Sequence, residues 1–235
     1  MEDQAYEHLK KSEWTEARRA LESELVARPK NLEARYNLAL LLQQAGHHDQ
    51  EMELYQKNMG IGWHLPTTTN LAAIYVEKGR VVDARSLLEK AAKRYRNEAT
   101  PRYLLAELDE KAGKLKQAEA WHKKSLRADP LNAFAHIRYA RFLKQQKHFD
   151  LAIKHALKAT RLQPTSAICL TITGNIQVHR KEYQDALESY QKSLAILPDP
   201  ETRQKLINVI HLLGMDDRAE RMQKALNAWL KHHPS

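Results

Sequence analysis

Apolar residues recur at helical spacing along most of the chain, in segments that are separated by short polar turns. This spacing gives each segment one apolar stripe and predicts amphipathic α-helices. One stretch, "AGKLKQAEAWHKKSLRADP" at 112–130, returns as "QKHFDLAIKHALKATRLQP" at 146–164 and as "RKEYQDALESYQKSLAILP" at 180–198. The prolines that close these stretches are 34 residues apart: Pro130, Pro164 and Pro198. The chain is therefore predicted to be a repeat protein whose helix pairs stack on their neighbours.

Alignment on recurrent small residues divides the chain into seven repeats of two helices each, approximately 1–31, 32–64, 65–98, 99–132, 133–166, 167–200 and 201–235, the last an atypical capping repeat. We expect these small residues to be buried where helices approach closely, because larger side chains would overpack the contact. In the first helices they are Ala5, Ala39, Ala72, Ala106, Ala140 and Gly174. In the second helices they are Ala17, Ala84, Ala118, Ala152 and Ala186. The turns between the two helices often contain glycine: Gly46, Gly79 and Gly113.

This pattern of recurrent residues resembles the tetratricopeptide repeat, and "YLLAELDEKAGKLKQAEAWHKKSLRADP" at 103–130 follows the family pattern almost position by position. The resemblance implies an all-α, right-handed superhelical solenoid of about seven antiparallel helix pairs, forming a single domain over residues 1–235. The second repeat departs from the pattern, since Glu51 and Asn58 replace the usual small residues. We therefore expect a shortened second helix before the junction "NMGIGWHLP" at 58–66, with Trp63 at least partly exposed.

Charge and composition narrow the class of protein. The 235 residues carry a net charge of +9, and residues 99–166 hold 14 Lys and Arg against 6 Asp and Glu. The single cysteine, Cys169, allows no internal disulfide, and no apolar run is long enough to span a membrane. The acidic start of the chain is unlike a secretory signal. We expect a cytoplasmic protein; the alternative is a soluble domain of a membrane-anchored protein whose anchor is absent here.

Candidate chemistry is sparse in this sequence. Cys169 has no histidine at a spacing that suggests activation, and a packed thiol is the simpler interpretation. His47 and His48 fall in a polar turn, and His122 lies among lysines, so scattered histidines do not predict a metal site. No phosphate loop, dinucleotide fingerprint or zinc-protease motif occurs. The sequence predicts neither an enzyme nor a cofactor.

The resemblance implies that the first helices line a concave groove that binds a partner peptide. Arg138, Arg141 and Lys144 share one helix face, because they are spaced three residues apart. Guanidinium groups beside aromatic rings favour an acidic or amphipathic protein segment. The full set of expected groove residues is Tyr36, Asn37, Asn70, Tyr103, Glu107, Phe134, Ile137, Arg138, Arg141, Lys144, Thr171 and Asn175.

Two other function classes stay open beside a protein-binding scaffold that helps organise a larger assembly. A second basic face, with Lys123, Lys124, Arg127, Lys154, Lys158 and Arg161, could bind nucleic acid or an anionic membrane. Aromatic stacking residues are not interleaved with these cations and no nucleic-acid fold signature occurs, which does not favour nucleic acid. The chain could instead be the regulatory or targeting region of a longer enzyme, and self-association is a further open alternative.

Overall fold

The structure, a computed structural model, describes the backbone of residues 2–232 and the side chains of residues 13–231. Every regular element within this range is an α-helix, and the predicted all-α architecture is confirmed. The helices are α1 (Glu2–Ala27), α2 (Leu32–Gln44), α3 (His48–Ile61), α4 (Leu65–Glu77), α5 (Val81–Arg94), α6 (Thr100–Lys111), α7 (Leu115–Ala128), α8 (Ala133–Gln145), α9 (Phe149–Leu162), α10 (Ala167–His179), α11 (Tyr183–Ile196), α12 (Pro200–Leu212) and α13 (Asp216–His232).

The first repeat differs from the predicted helix pair. Residues 2–27 form the single helix α1, and six pairs, from α2–α3 to α12–α13, follow it in the described chain. Ser12 stands where later repeats have a turn residue, and the helix continues through it. Ala17 is consequently exposed rather than packed in a second helix, while the side chain of Ala5 lies outside the described residues. Trp14 still contacts α2, since its indole N–H donates to the carbonyl oxygen of Leu41 at 3.4 Å.

The helices fall into two compact units. The N-terminal unit ends at Arg96 and contains α1–α5, and the C-terminal unit begins at Asn97 and contains α6–α13. Tyr55, Leu71 and Ile74 belong to the core of the N-terminal unit. In the C-terminal unit, one apolar cluster joins α7–α10 and another joins α11–α13. A single continuous solenoid over the whole chain stays a prediction.

The two helices of a pair begin in different ways. Five of the six first helices after α1 begin at a side chain that accepts a hydrogen bond from the backbone of the first turn, a role filled by Asn31, His64, Asn132, Ser166 and Asp199. The exception is α6, which begins at Ala99 without such a bond. Second helices follow a turn residue with positive φ: Gly46, Gly79, Gly113, Lys147, Lys181 and Gly214. Glycine adopts this conformation without strain, whereas lysine pays a steric cost that the sequence pattern did not predict. The turn geometry is thus retained where glycine is absent.

Apart from Ala17, the recurrent small residues whose side chains the structure describes are buried, as the pattern predicted. Ala39, Ala72, Ala106 and Ala140 of the first helices are buried, as are Ala84, Ala118, Ala152 and Ala186 of the second helices. Gly174 is also buried, and a methyl group placed on its Cα would lie 2.7 Å from Cε1 of Tyr190. These contacts leave no room for larger side chains, which explains why the same positions stay small in successive repeats.

The expected shortening of α3 is wrong, because Asn58 is satisfied in place. The helix has 14 residues, as many as α5, α7, α9 and α11. Asn58 is fully buried, and its amide N–H group donates to the carbonyl oxygen of Leu32 at 2.8 Å and to Oγ1 of Thr67 at 3.0 Å. Its Oδ1 accepts from Arg35 at 3.0 Å. Trp63 is half-buried, as expected, with the Arg94 guanidinium 5.9 Å from its ring centroid.

Replacing Asn58 with alanine, the kind of residue that the family pattern favours there, should destabilise the protein. The change leaves buried Arg35 without one of its acceptors, and we expect a loss of about 1–3 kcal/mol in the free energy of unfolding. Urea unfolding followed by circular dichroism would measure it. The matched control is Asn37→Ala, an exposed position in the same unit, which should change the free energy by less than about 0.5 kcal/mol. Equal stability of the two variants would contradict the assigned role of Asn58.

Candidate partner-binding surface

The three charged residues Arg138, Arg141 and Glu107 form one cluster between α8 and α6. Nη1 of Arg138 lies 2.5 Å from Oε1 of Glu107, and Nη2 of Arg141 lies 2.8 Å from the same oxygen. The sequence predicted that all three would face a partner, but it did not predict that they pair with one another. The cluster keeps a net charge of +1, and the guanidinium of Arg138 also lies 5.9 Å from the ring centroid of Tyr103.

Lys144 continues this surface one turn further along α8. It is half-buried and forms no ion pair within the described part of the chain. Burial lowers the pKa of its ammonium group, and the nearby charges of Lys205 and Arg141 lower it further. Lys205, which the sequence analysis missed, lies on α12 and pairs with Glu201 at 2.7 Å. A carboxylate that reached Lys144 would stabilise the charged form of its ammonium group.

The two apolar anchors predicted on α8 have different environments. Phe134 is 39% exposed and is available to a partner. Ile137 is only 1% exposed and packs in the core with the alanines of neighbouring helices, so its assignment as a groove residue is corrected. The two residues are three positions apart, and the buried face of α8 includes Ile137 but not Phe134.

Thr171 and Asn175 on α10 are partly committed to contacts inside the protein. Oγ1 of Thr171 lies 2.8 Å from Oγ of Ser193 and 3.3 Å from Oγ1 of Thr202. Oδ1 of Asn175 accepts from the Tyr190 hydroxyl at 2.8 Å. The amide N–H group of Asn175 forms no hydrogen bond among the described residues, and it can therefore donate to a peptide carbonyl.

The expected groove residues of the N-terminal unit form a separate aromatic group. Tyr36 packs edge-on against His64 at a centroid distance of 5.2 Å and lies 5.9 Å from Tyr55. The amide N–H group of Asn70 donates to the Tyr55 hydroxyl at 3.0 Å. Asn37 is exposed on α2. This group contains no lysine or arginine, so the lysine and arginine residues of the expected surface belong to the C-terminal unit.

Two family models match the amino-acid sequence, and both are described as tetratricopeptide repeat. One matches residues 2–57 and 140–199, and the other matches residues 75–130. Together these ranges cover well over half of the sequence. The chain belongs to the tetratricopeptide repeat family. Members of this family are generally protein-interaction scaffolds, and their repeats are typically non-catalytic. No curated protein matches the chain in a sequence comparison.

Solved structures support the same fold for this tetratricopeptide repeat protein. It is similar to PilF of Pseudomonas aeruginosa, with 22% identity over 68% of this chain and 74% of that one, at a TM-score of 0.62. MamA of Desulfovibrio magneticus RS-1 has 18% identity over 72% of this chain and 96% of that one, also at 0.62. A chain of the APC/C hetero-tetramer Cut9–Hcn1 has 19% identity over 86% of this chain and 40% of that one, at 0.67. At these identities the likeness concerns the fold alone.

Two of the residues considered for chemistry in this tetratricopeptide repeat protein, Cys169 and His122, lie in the interior. Cys169 is buried, and burial raises the pKa of its thiol. His122 is buried with Nε2 2.7 Å from Oε1 of Glu110. Among the described side chains, no group of three or more His, Cys, Asp and Glu residues is placed to hold a metal ion. Within the same residues, no helix combines the length and the apolar character that crossing a bilayer requires.

The second basic face contains an aromatic residue that the sequence analysis overlooked. The ammonium group of Lys124 lies 4.1 Å from the ring centroid of Trp121, which is half-buried. Lys123 is neutralised by Glu119 at 2.6 Å. The expectation that no aromatic residue accompanies these cations is therefore wrong. The Trp121 ring is, however, already in contact with Lys124 of the same helix.

Proposed function

We propose that this protein is a non-catalytic scaffold that binds an acidic or amphipathic segment of a partner protein and helps organise a larger assembly. The segment binds along the basic surface, which we define as Arg138, Arg141, Lys144 and Lys205. Phe134 and Tyr103 supply aromatic contacts beside it, and Asn175 supplies a donor for the peptide backbone. Tyr36, Asn37 and Asn70 offer a second, uncharged contact region in the N-terminal unit.

The observation that carries this proposal is the incomplete neutralisation of the basic surface. Glu107 is shared by two arginines, and Lys144 is half-buried without any ion pair among the described residues. Surface charges that only improve solubility are normally hydrated or paired, whereas an unpaired cation that loses hydration is destabilised. A partner carboxylate restores that lost interaction, and complementary charge also speeds association.

One cysteine, buried and unpaired by any disulfide, suits a reducing compartment, and we place the protein in the cytoplasm. We favour a protein segment over nucleic acid as the partner, because the Trp121 ring on the second basic face already carries the ammonium group of Lys124 at 4.1 Å and is less available to stack on a base.

Removing the negative charge of Glu107 should strengthen binding. Glu107→Gln releases both arginines from their shared carboxylate, so we expect a fluorescein-labelled amphipathic peptide of leucine and glutamate to bind about 2–5-fold more tightly. Arg141→Gln should weaken the same complex by a similar factor. Fluorescence anisotropy at fixed ionic strength measures both changes, and a peptide with lysine in place of glutamate should show no binding.

The matched control is Glu188→Gln. Glu188 pairs with Lys192 on the exposed side of α11, so this variant makes the same change in net charge away from the basic surface. Equal effects of Glu107→Gln and Glu188→Gln would mean that overall charge, rather than this surface, determines the affinity. Tight, steeply salt-dependent binding of single-stranded DNA, reduced by Lys124→Gln and unchanged by Arg141→Gln, would favour the nucleic-acid alternative.

A further inference from the structure

A pocket of about 230 Å³ lies between the start of α10, the end of α11 and the start of α12. Its apolar lining comes from Ile168, Ile172 and Leu197, and Ile168 and Leu197 are each 57% exposed. The volume corresponds to roughly seven or eight water molecules, enough for one large apolar side chain. Lys205 also lines this pocket, which therefore adjoins the basic surface.

The floor of the pocket consists of hydroxyl groups that already donate hydrogen bonds to other atoms of the protein. Oγ of Ser193 donates to the carbonyl oxygen of Ala167 at 3.0 Å, which makes this hydroxyl the acceptor for Thr171 at 2.8 Å. Thr171 is in turn the acceptor for Thr202 at 3.3 Å. Each hydroxyl group in this hydrogen-bonded series donates to one acceptor. An apolar side chain that covers these groups therefore leaves no hydroxyl hydrogen unpaired.

The charges around the pocket are asymmetric. Asp199 caps α12 by accepting from the backbone N–H of Thr202 at 2.7 Å, and Glu201 pairs with Lys205. Both carboxylates that line the pocket are thus engaged locally. On the side of α8, Lys144 lies close enough to Lys205 for their charges to interact, and it is the cation without an ion pair in the described residues. An anion is therefore favoured on that side of the pocket only.

We propose that this pocket holds a large apolar side chain of the partner segment while a neighbouring carboxylate of the same segment pairs with Lys144. This inference rests on the proposed function and adds the chemistry that the segment must carry: an acidic residue adjacent to a large apolar one. The apolar residue gains by leaving water, and the carboxylate restores the interaction that the half-buried ammonium lacks. Together they determine which acidic segments bind and which do not.

The test is a pair of double-mutant cycles with the labelled leucine–glutamate peptide. Ile168→Gln removes an exposed wall of the pocket and should weaken binding about 5–10-fold, because the anchoring side chain loses its apolar contact. Replacing the anchoring leucine of the peptide by alanine should cost the same factor with the wild-type protein and nothing further with Ile168→Gln. Lys144→Gln and a glutamate-to-glutamine change in the peptide should behave in the same way.

Two control variants and one spectroscopic reading accompany these cycles. Ile196→Gln changes an exposed isoleucine outside the pocket, and Lys154→Gln changes an exposed lysine outside the basic surface; neither should alter affinity. Peptide binding should also raise the pKa of Lys144, which NMR of labelled lysine side chains detects, because a carboxylate favours the charged ammonium.

The outcomes separate the two proposals. If the wild-type protein binds no acidic peptide, the proposed function and this inference are both overturned. If the peptide binds and Arg141→Gln weakens it, but at least one of the two cycles shows no coupling, only the pocket assignment is overturned. Coupling in both cycles together with the upward shift in the pKa of Lys144 would support it.

Discussion

Replacing Tyr190 with alanine is expected to lower the free energy of unfolding by about 3–5 kcal/mol, a large share of the stability of a domain of this size. Tyr190 is among the largest fully buried side chains and belongs to the core of α11–α13. Its ring packs against the backbone of Gly174, so neighbouring helices cannot easily close the cavity that alanine would leave. Urea unfolding followed by circular dichroism measures the loss.

Two further variants separate packing from hydrogen bonding at this position. Tyr190→Phe removes only the donor to Oδ1 of Asn175 and should cost about 1 kcal/mol. Gly174→Ala places a methyl group 2.7 Å from the ring, and overpacking of about 1–3 kcal/mol should outweigh the gain of about 1 kcal/mol in helix propensity. In a Tyr190→Leu background the same alanine should cease to destabilise. Stabilisation by Gly174→Ala in the wild-type protein would contradict the close contact.

Stability should also fall in mild acid, through a pair of histidines between α8 and α9. Nδ1 of His136 lies 2.9 Å from Nδ1 of His155, and the rings stack at a centroid distance of 5.1 Å. Nε2 of His136 donates to the carbonyl oxygen of Pro130 at 3.1 Å, so its Nδ1 is the acceptor for His155 when both rings are neutral. Burial, followed by the charges of His136, Lys158 and His122, lowers the pKa of His155 to about 4.

The direction of the pH dependence follows from this lowered pKa. An unfolded histidine binds its proton near pH 6.5, before the folded one does, so acid favours the unfolded chain. The contribution of His155 to the free energy of unfolding is fully present above about pH 6.5. It is lost as the pH falls toward 4 and changes little below that value. Between roughly pH 7.5 and 4.5 we expect wild type to lose about 2–3 kcal/mol through this residue. Groups that face the pair also include Asp129, which raises the pKa of His136, and Tyr139 with its partner Glu119.

The variant His155→Gln isolates this contribution. Glutamine can still donate to His136 but does not titrate, so the stability of the variant should depend less on pH than that of wild type by about 2–3 kcal/mol over the same interval. His47→Gln changes an exposed histidine and should leave the pH dependence as it is. Parallel pH profiles for wild type and His155→Gln would contradict the assignment.

Local periodicity predicted the repeats well because successive helix pairs pack against each other through equivalent positions. Positions such as Ala118 and Ala152 stay small since each faces a helix at close range, and that requirement is readable in one sequence. The first repeat departed from the rule, because helix formation in a folded protein depends on tertiary packing as well as on local propensity. Asn58 was misread for the same reason: its partners Arg35 and Thr67 lie on other helices.

The expected site shows the same division between local and tertiary information. The sequence alone determined that the chain is an all-α repeat protein and that Arg138, Arg141 and Lys144 share one face of α8, since helical spacing is a local property. Only the tertiary structure decided that Glu107 pairs with both arginines, that Ile137 belongs to the core, and that the charge of Lys205 lowers the pKa of Lys144. These facts depend on which residues of different helices lie near one another in space. Nothing in the sequence positions of Lys144 and Lys205 predicts that their charges interact.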